Sequence, residues 1–421
     1  MVLIAGVGDV SNRVNVRTKK TNFAPRLGLS YLLTDKTVIR AGVARSFFPN
    51  VFNILISGSY PLIGNQQILN QTIYSPALNI ADQRPGFTFP TIPSSGTFPL
   101  PVGVDITFNP FDRRIGYVDS WNFFVQHQLA PTLSVEAGYV GNVGRQLYWN
   151  VPLNRAIPGP GPLNPRRPLF QKFGYTQNIT WRGNSGSTNY HSLQLQARKR
   201  AGRDLTLIAS YAWSKTIDFG TYDVVSDPQN WRNDRAVADR NRASVFSLGH
   251  VYELPFGPGK RLLPDARGIV RHIVAGWSFS GLTLLNSGLP ITPRMANAST
   301  LNADFGLRPD QVGDPGLASP SRNLWFNPAA FAAPGLYRQG TAGRNILRGP
   351  SLIQADWSLA KLFHFTERTQ LEFRADAINV LNRTNLGQPT NTIDSPSGGQ
   401  IFGLIGGASM RQMQFGLRLS W

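Results

Sequence analysis

The residues that could do chemistry are few and far apart in this sequence. The 421-residue chain has five His and no Cys. No His lies in an HExxH or comparable metal-ligand spacing, and without Cys there is no thiolate zinc site, Cys nucleophile or disulfide. His250 and Glu253 would point to opposite faces of a strand, which a shared ligand site would not use. We therefore expect no enzymatic activity, no catalytic residue, no metal site and no cofactor.

A second set of charged residues occupies regular positions in stretches where polar and apolar residues alternate. If those stretches are strands, all of these residues face the polar side, which in a barrel is the lumen. The six lumen-facing candidates are Glu136, Asp356, Glu372, Arg374, Asp376 and Arg418. Their alternation favours a solvated, mutually paired barrel wall. Contact with a plug or a passing substrate is the functional alternative.

The net charge is +19, and Arg dominates the 42 basic residues. Such an excess is typical of nucleic-acid-binding proteins. The Arg residues are scattered along the whole chain, however, without the dense basic runs or basic helix that such proteins carry. We therefore expect no nucleic-acid partner. Arg side chains that line a lumen or meet anionic lipopolysaccharide explain the charge more simply.

The clearest element lies at the C-terminus. From Met413 to Trp421 every odd position is apolar and every even position is polar or Gly. Strict alternation of this kind predicts a strand with one apolar and one polar face. No stretch approaches the roughly 18 to 20 apolar residues of a membrane-spanning helix, whereas a spanning strand needs only about 9–11.

Similar alternation recurs upstream, in a chain with 41 Gly, 31 Pro and 11% aromatic residues, a composition typical of strands and turns. Strands near 242–254 and 274–286 are less regular, because both of their faces mix small and apolar residues. The eleven predicted strands lie near 23–32, 37–46, 121–129, 133–139, 192–198, 205–214, 242–254, 274–286, 353–359, 370–377 and 413–421.

The connections between these strands alternate in length. Short turns are predicted at 33–36, 130–132, 201–204 and 365–368. Long links are predicted at 47–114, 146–187, 217–241, 287–350 and 383–409, and only 255–273 is intermediate. Short periplasmic turns opposite long extracellular loops are typical of outer-membrane barrels. With Trp421 in the periplasm, every short turn falls on that side. Because bacterial barrels normally have an even number of strands, eleven strands indicate that others precede them.

Four segments resemble the Oar-like TonB-dependent transporters, and the resemblance extends over nearly the whole chain. These segments are Asn22–Leu29, Asp119–Asn122, Val251–Gly257 and Phe373–Asn382. The resemblance implies that residues 1–421 are the C-terminal half of a 22-stranded barrel. It also implies that Phe415, Leu417, Leu419 and Trp421 belong to a signal for the barrel-assembly machinery.

The resemblance implies further parts that this sequence does not show. Members of the family begin with a signal peptide, an N-terminal domain, a TonB-contacting segment and a plug. Residues 1–22 contain no signal-peptide pattern, so we expect the N-terminal part to be missing from this sequence. The TonB complex would contact only that missing part. The link 47–114 is rich in aromatic residues, namely Tyr60, Tyr74, Phe87, Phe89 and Phe98. It is equally a candidate ligand-catching or protective loop.

The expected fold is therefore all-β, an antiparallel transmembrane barrel in the outer membrane of a Gram-negative bacterium. The expected function is energy-coupled uptake of a ligand by the full-length parent. A porin or adhesin barrel without TonB coupling is the first alternative, which the absence of a plug upstream would favour. A soluble secreted all-β glycan-binding protein is the second.

Overall fold

A computed structural model shows one large antiparallel sheet whose long connections are themselves folded. It describes residues 2–12, 20–48, 91–100, 106–108, 114–202, 204–219, 230–366 and 368–421. Of the five aromatic residues named above for the link 47–114, four lie outside the described residues, namely Tyr60, Tyr74, Phe87 and Phe89. Phe98 belongs to a two-residue strand, Thr97–Phe98, that pairs with Val2–Leu3.

Eleven long strands form the main path of the sheet. They are β1 (Arg26–Thr34), β2 (Thr37–Phe47), β3 (Tyr117–Ala130), β4 (Leu133–Pro152), β5 (Ile179–Ala201), β6 (Leu205–Asp218), β7 (Ser244–Glu253), β8 (Trp277–Asn286), β9 (Leu352–His364), β10 (Gln370–Ile378) and β11 (Gln412–Ser420). Each pairs antiparallel with the next along the chain, so the sheet is a meander. Two short strands attach to it: Ile106–Phe108 is parallel to β5, and Ala236–Val237 is antiparallel to β6.

The two edges of the sheet are β1 and β11. Within the described residues each has one partner strand, β2 and β10 respectively. Every residue of both edge strands is exposed. The backbone groups that would pair with a further strand are therefore free on the outer side of each edge.

The antiparallel register sorts the side chains onto two faces. Leu417 lies opposite Phe373, and Arg418 lies opposite Glu372. Followed across the sheet, the apolar face collects odd-numbered residues from ten strands. In β7 the register changes parity, so that the even residues Phe246 and Leu248 join this face. The pattern near 242–254 is irregular because His250 lies on the apolar face and Val245 and Val251 lie on the polar face.

The short turns all lie at one end of the sheet, the turn end, and the long links lie at the other, the loop end. This arrangement follows from the antiparallel pairing of β1 with β2, β3 with β4, β5 with β6, and β9 with β10. It confirms the predicted positions of the four turns. Gly202, in the turn between β5 and β6, has φ +59°, a conformation that side chains with a Cβ rarely adopt.

The bounds of the links differ from the predicted ones, most clearly between β4 and β5. The link predicted at 146–187 is shorter, because β4 continues to Pro152 and β5 begins at Ile179. Beyond the apolar face, Trp149 is buried and stacks on Trp231 with ring centroids 5.4 Å apart. The strands thus extend past the length that a membrane crossing requires.

At the loop end the links fold together into a unit that we call the loop assembly, formed by residues 153–178, 230–243, 287–351 and 379–411. A core of buried apolar residues lies within its 287–351 part: Ile291, Phe326, Ala330, Phe331, Ala342 and Leu347. Two pairs of short strands brace this core, Pro290–Ile291 with Leu347–Arg348 and Asp310–Gln311 with Phe331–Ala332. Apolar packing thus orders part of the 287–351 link, and most of the backbone of that link is irregular.

Helices are short in the described residues. Helix α1 is Phe170–Phe173 and α2 is Gly268–Val274. Three 3-10 turns lie at Asn164–Arg166, Trp231–Asp234 and Pro328–Ala330. Across the described ranges, none of the helices has the length and apolar character that crossing a membrane would take.

Candidate functional site on the polar face and in the loop assembly

The polar face of the sheet contains all six predicted lumen-facing residues. Glu136 lies in β4, Asp356 in β9, Glu372, Arg374 and Asp376 in β10, and Arg418 in β11. The pairing establishes their common face: Glu372 is opposite Arg418, and Asp376 is opposite Ser358. What these residues contact in a complete barrel stays a prediction.

The carboxylates of β9 and β10 have close polar partners. Arg374 Nε donates to Asp376 Oδ1 at 2.8 Å. Asp356 accepts hydrogen bonds from Gln354 Nε2 at 2.6 Å and from the backbone N–H of Asn379 at 2.8 Å. Partners of this kind keep charged groups in place on a solvated wall. They favour the structural interpretation of this part of the face.

Glu136 belongs to a separate group. Arg40 Nη2 of β2 lies 3.5 Å from Glu136 Oε2, and Arg40 also donates to Gln126. β4 and β9 are five strand positions apart, a distance along the sheet of about 24 Å at ~4.8 Å per strand. The six candidates therefore form two groups along a wall and do not form one centre.

A basic groove lies on the polar face at the turn end, and the sequence did not predict it as a site. Its volume is about 350 Å³, and its lining includes Lys36, Arg198 and Arg200 together with Asp35. Arg198 Nε donates to Gln196 Oε1 at 2.7 Å. The alternation in the predicted strand 192–198 placed Arg198 on the polar face, and β5 extends that face to Arg200. Only the sheet pairing brings Lys36 to the same groove.

Ion pairs join the links of the loop assembly. Asp304 Oδ2 lies 2.7 Å from Arg167 Nη1 and 3.6 Å from Arg155 Nη1. Asp304 Oδ1 accepts from the backbone N–H of Ala156 at 2.9 Å. A single carboxylate of the 287–351 link thus holds the 153–178 link in position.

A second junction is centred on Arg344, whose guanidinium is almost completely buried. Arg344 Nη1 lies 2.8 Å from Asp218 Oδ1, and Nη2 lies 2.9 Å from Asp239 Oδ1. Burial disfavours the charge, but the hydrogen bond and attraction to Asp218, reinforced by Asp239, raise the pKa of Arg344 above its ordinary value. Arg344 therefore stays charged and connects the loop assembly to the end of β6.

The histidines are not part of a metal cluster in the described part of the chain, which contains no group of three or more His, Asp or Glu suited to a metal ion. His250 and Glu253 lie on opposite faces of β7, as predicted. The His250 ring lies on the apolar face, with its centroid 4.7 Å from Phe279 and 6.4 Å from Trp357.

The C-terminal strand presents its apolar residues openly. Phe415, Leu417 and Leu419 are exposed on the apolar face, and Trp421 is 88% exposed. Phe415 stacks on Phe373 with ring centroids 6.4 Å apart. Recognition of these residues by an assembly machinery stays a prediction.

A meander with one apolar and one polar face, turns at one end and long links at the other, defines the wall of a membrane β-barrel. The chain belongs to the outer membrane beta barrel domain family, whose profile matches residues 1–414. The predicted all-β antiparallel fold and outer-membrane address are thereby confirmed. The Oar-like subfamily, the 22-stranded closed barrel and TonB dependence stay predictions.

Solved structures similar to this chain include transporters. The outer membrane transporter YddB from Escherichia coli is 12% identical over 95% of this chain and 41% of its own, with a TM-score of 0.50. The ferric citrate transporter FecA is 12% identical over 94% of this chain and 37% of its own, with a TM-score of 0.43. The FrpB iron transporter from Neisseria meningitidis is 9% identical over 94% of this chain and 39% of its own, with a TM-score of 0.41.

The chain spans less than half the length of these structures. No curated protein matches it in sequence.

Proposed function

We propose that this chain is part of the wall and the outer surface of a TonB-dependent transporter. The full-length protein would take up a ligand across the outer membrane of a Gram-negative bacterium. The observation that carries the proposal is the eleven-strand meander with one apolar and one polar face, together with the loop assembly at one end of it. The sequence resemblance to Oar-like transporters supports the energy coupling. The chain itself performs no catalytic step in this proposal.

Each surface has a place in this scheme. The apolar face contacts membrane lipid, and the polar face lines the lumen. The turn end lies in the periplasm, and the loop assembly lies outside the cell, where its basic residues meet lipopolysaccharide. The TonB complex contacts a segment outside this chain, and the barrel-assembly machinery reads β11.

The orientation can be tested because the chain contains no Cys. Leu336 is exposed in the loop assembly, and Asp35 is exposed in the turn between β1 and β2. In the full-length protein, Leu336→Cys should react with a membrane-impermeant maleimide in intact cells, and Asp35→Cys should react only after lysis. The reverse labelling would contradict the proposed orientation.

Energy coupling is tested separately from orientation. A transporter with a plugged lumen should conduct almost no KCl current when the purified full-length protein is inserted into a planar bilayer. Removing the plug should open a steady conductance. If the intact protein already forms a steadily open channel, a TonB-independent porin is the correct function.

A further inference from the structure

Helix α2 combines an apolar side with a basic side. Ile269, Val270 and Ile273 fall within one arc at 3.6 residues per turn, and Arg271 and His272 occupy the opposite arc. Ile269 is 78% exposed, Ile273 61% and Val270 53%. The apolar side of this helix therefore points away from the protein.

The C-terminal end of α2 is fastened to the apolar face of the sheet. Lys361 Nζ of β9 donates to the backbone oxygens of Ile273 at 3.1 Å and Ala275 at 2.5 Å. Trp277 Nε1 of β8 donates to Ile273 O at 2.8 Å. The register places Lys361 between Trp277 and Phe373 on that face. Helix α2 thus lies outside the sheet and not in the lumen.

Lys361 is unusual because it is a cation on the apolar face. Its side chain is almost completely buried, and Nζ lies 4.8 Å from the ring centroids of both Trp277 and Phe363. A cation at the C-terminal end of a helix attracts the free carbonyl groups there. Lys361 is accordingly the positioning residue of α2, and this contact accounts for a charge that is buried on the apolar face.

Membrane lipid is the partner that best fits the apolar side of α2. β8 and β9 are interior strands with partners on both sides, so strands added at β1 or β11 would not cover the helix. Anything in the lumen would contact the opposite face. The helix is continuous with the apolar face and lies at the turn end, at the level where a bilayer surface meets the barrel.

The geometry points to α2 as an interfacial membrane anchor. The apolar side of the helix enters the boundary between headgroups and acyl chains of the leaflet at the turn end, and Arg267 and Arg271 contact phospholipid phosphates. Amphipathic helices with basic polar sides bind membranes in this way. This inference rests on the proposed function only in that the apolar face meets lipid.

Fluorescence quenching tests the anchor in the full-length protein, reconstituted in vesicles of phosphatidylethanolamine and phosphatidylglycerol. Single Cys residues at Ile269, Leu417 and Leu336 carry an environment-sensitive fluorophore. A nitroxide on the acyl chain near the glycerol should quench the Ile269→Cys emission more than a nitroxide near the chain terminus does, as expected for a shallow interfacial site. The nitroxide near the chain terminus should quench Leu417→Cys more strongly than the nitroxide near the glycerol does. Neither nitroxide should quench Leu336→Cys.

The outcomes separate the two proposals. Quenching at Leu417→Cys without quenching at Ile269→Cys would overturn the anchor and leave the membrane assignment standing. Absence of quenching at both positions would overturn both. Protection of Ile269→Cys in cells but not in vesicles would indicate a periplasmic protein partner and would also overturn the anchor.

A separate substitution tests whether Lys361 positions α2. Lys361→Met keeps most of the unbranched side chain and removes the ammonium group that makes both hydrogen bonds to the helix. Quenching at Ile269→Cys should therefore fall, and trypsin should cut faster after Arg271. Lys199→Met is the matched control, because Lys199 is an exposed Lys on the same face, in β5. Equal behaviour of the two variants would remove Lys361 from the mechanism.

Discussion

At the scale of single residues, nearby positions of β11 face opposite environments. Leu417 lies on the apolar face opposite Phe373, and Gln414 lies on the polar face opposite Asp376. We expect Leu417→Arg to lower the unfolding free energy of the membrane-inserted full-length protein by about 2–4 kcal/mol, because the cation would enter hydrocarbon. Guanidinium unfolding in vesicles measures this loss.

The matched control for that substitution is Gln414→Arg, which adds the same side chain on the lumen side. Its effect should be close to zero, since water and Asp376 are available there. Equal losses at Leu417 and Gln414 would show that the two faces of β11 are assigned incorrectly.

Asp304 joins the 287–351 link to the 153–178 link. Asp304→Asn keeps the shape of the side chain but removes the charge that faces Arg155 and Arg167. We expect the 153–178 link to lose about 1.5–3 kcal/mol of local stability, the usual range for hydrogen bonds to charged groups. Hydrogen exchange within that link measures the change. Asp314→Asn, at an exposed position of the same 287–351 link, should leave exchange there unaffected.

The sequence alone predicted which side chains share a face wherever alternation was strict, as for Glu372 and Arg374. It did not predict the role of Lys361. The carbonyl groups that this Lys contacts belong to residues 86 and 88 positions earlier in the chain. No local pattern contains a contact of that length, and Lys361 lies beyond the predicted strand 353–359.

At the scale of elements, the loop assembly contains a pair that responds to pH. Hydrogen bonds from the Arg338 guanidinium, at 2.6 and 2.8 Å, hold the pKa of Asp310 below its ordinary value. The stability that this carboxylate contributes is therefore present above its unfolded pKa of about 3.9 and is lost as the pH falls through the lower folded pKa. We expect the strand pair Asp310–Gln311 with Phe331–Ala332 to loosen in acid.

The measurement compares wild type with Asp310→Asn by hydrogen exchange over 310–341 at several pH values. The variant should exchange faster at neutral pH, and the difference should shrink below about pH 4 as the wild-type carboxyl is protonated. A difference that stays constant to low pH would show that the ionised carboxylate does not hold this element.

The turns and strands were predictable as elements, and the loop assembly was not. Alternation and short polar turns are local signals, so β11 and the turn between β9 and β10 were located within a few residues. The core around Phe326 and Phe331 brings together residues that are far apart within the 287–351 link, and Ile393 of the 379–411 link packs against it. Pro and Gly within those links indicate turns but give no information about which links pack together.

At the scale of the whole molecule, the two edges of the sheet limit what this chain can do alone. β1 and β11 each have one partner among the described strands. In hydrocarbon each unpaired N–H or C=O group costs several kcal/mol, so open edges are not tolerated there. Closing eleven strands into a smaller ring would require a new shear and stagger for every pair. Among the described strands, β1 and β11 are not paired with each other, so the sheet shows no such closure.

We therefore expect the 421-residue chain, expressed alone with an added signal peptide, to aggregate or to be degraded, and to take up no ligand. Including the further barrel strands of the full-length protein in the same chain should restore insertion, since both edges would then be paired. Protease resistance and size-exclusion chromatography in detergent measure the outcome for both chains. If the 421-residue chain alone gives a monodisperse, protease-resistant monomer that conducts ions in a bilayer, its edges must pair with each other. The strands described here would then close a barrel unaided.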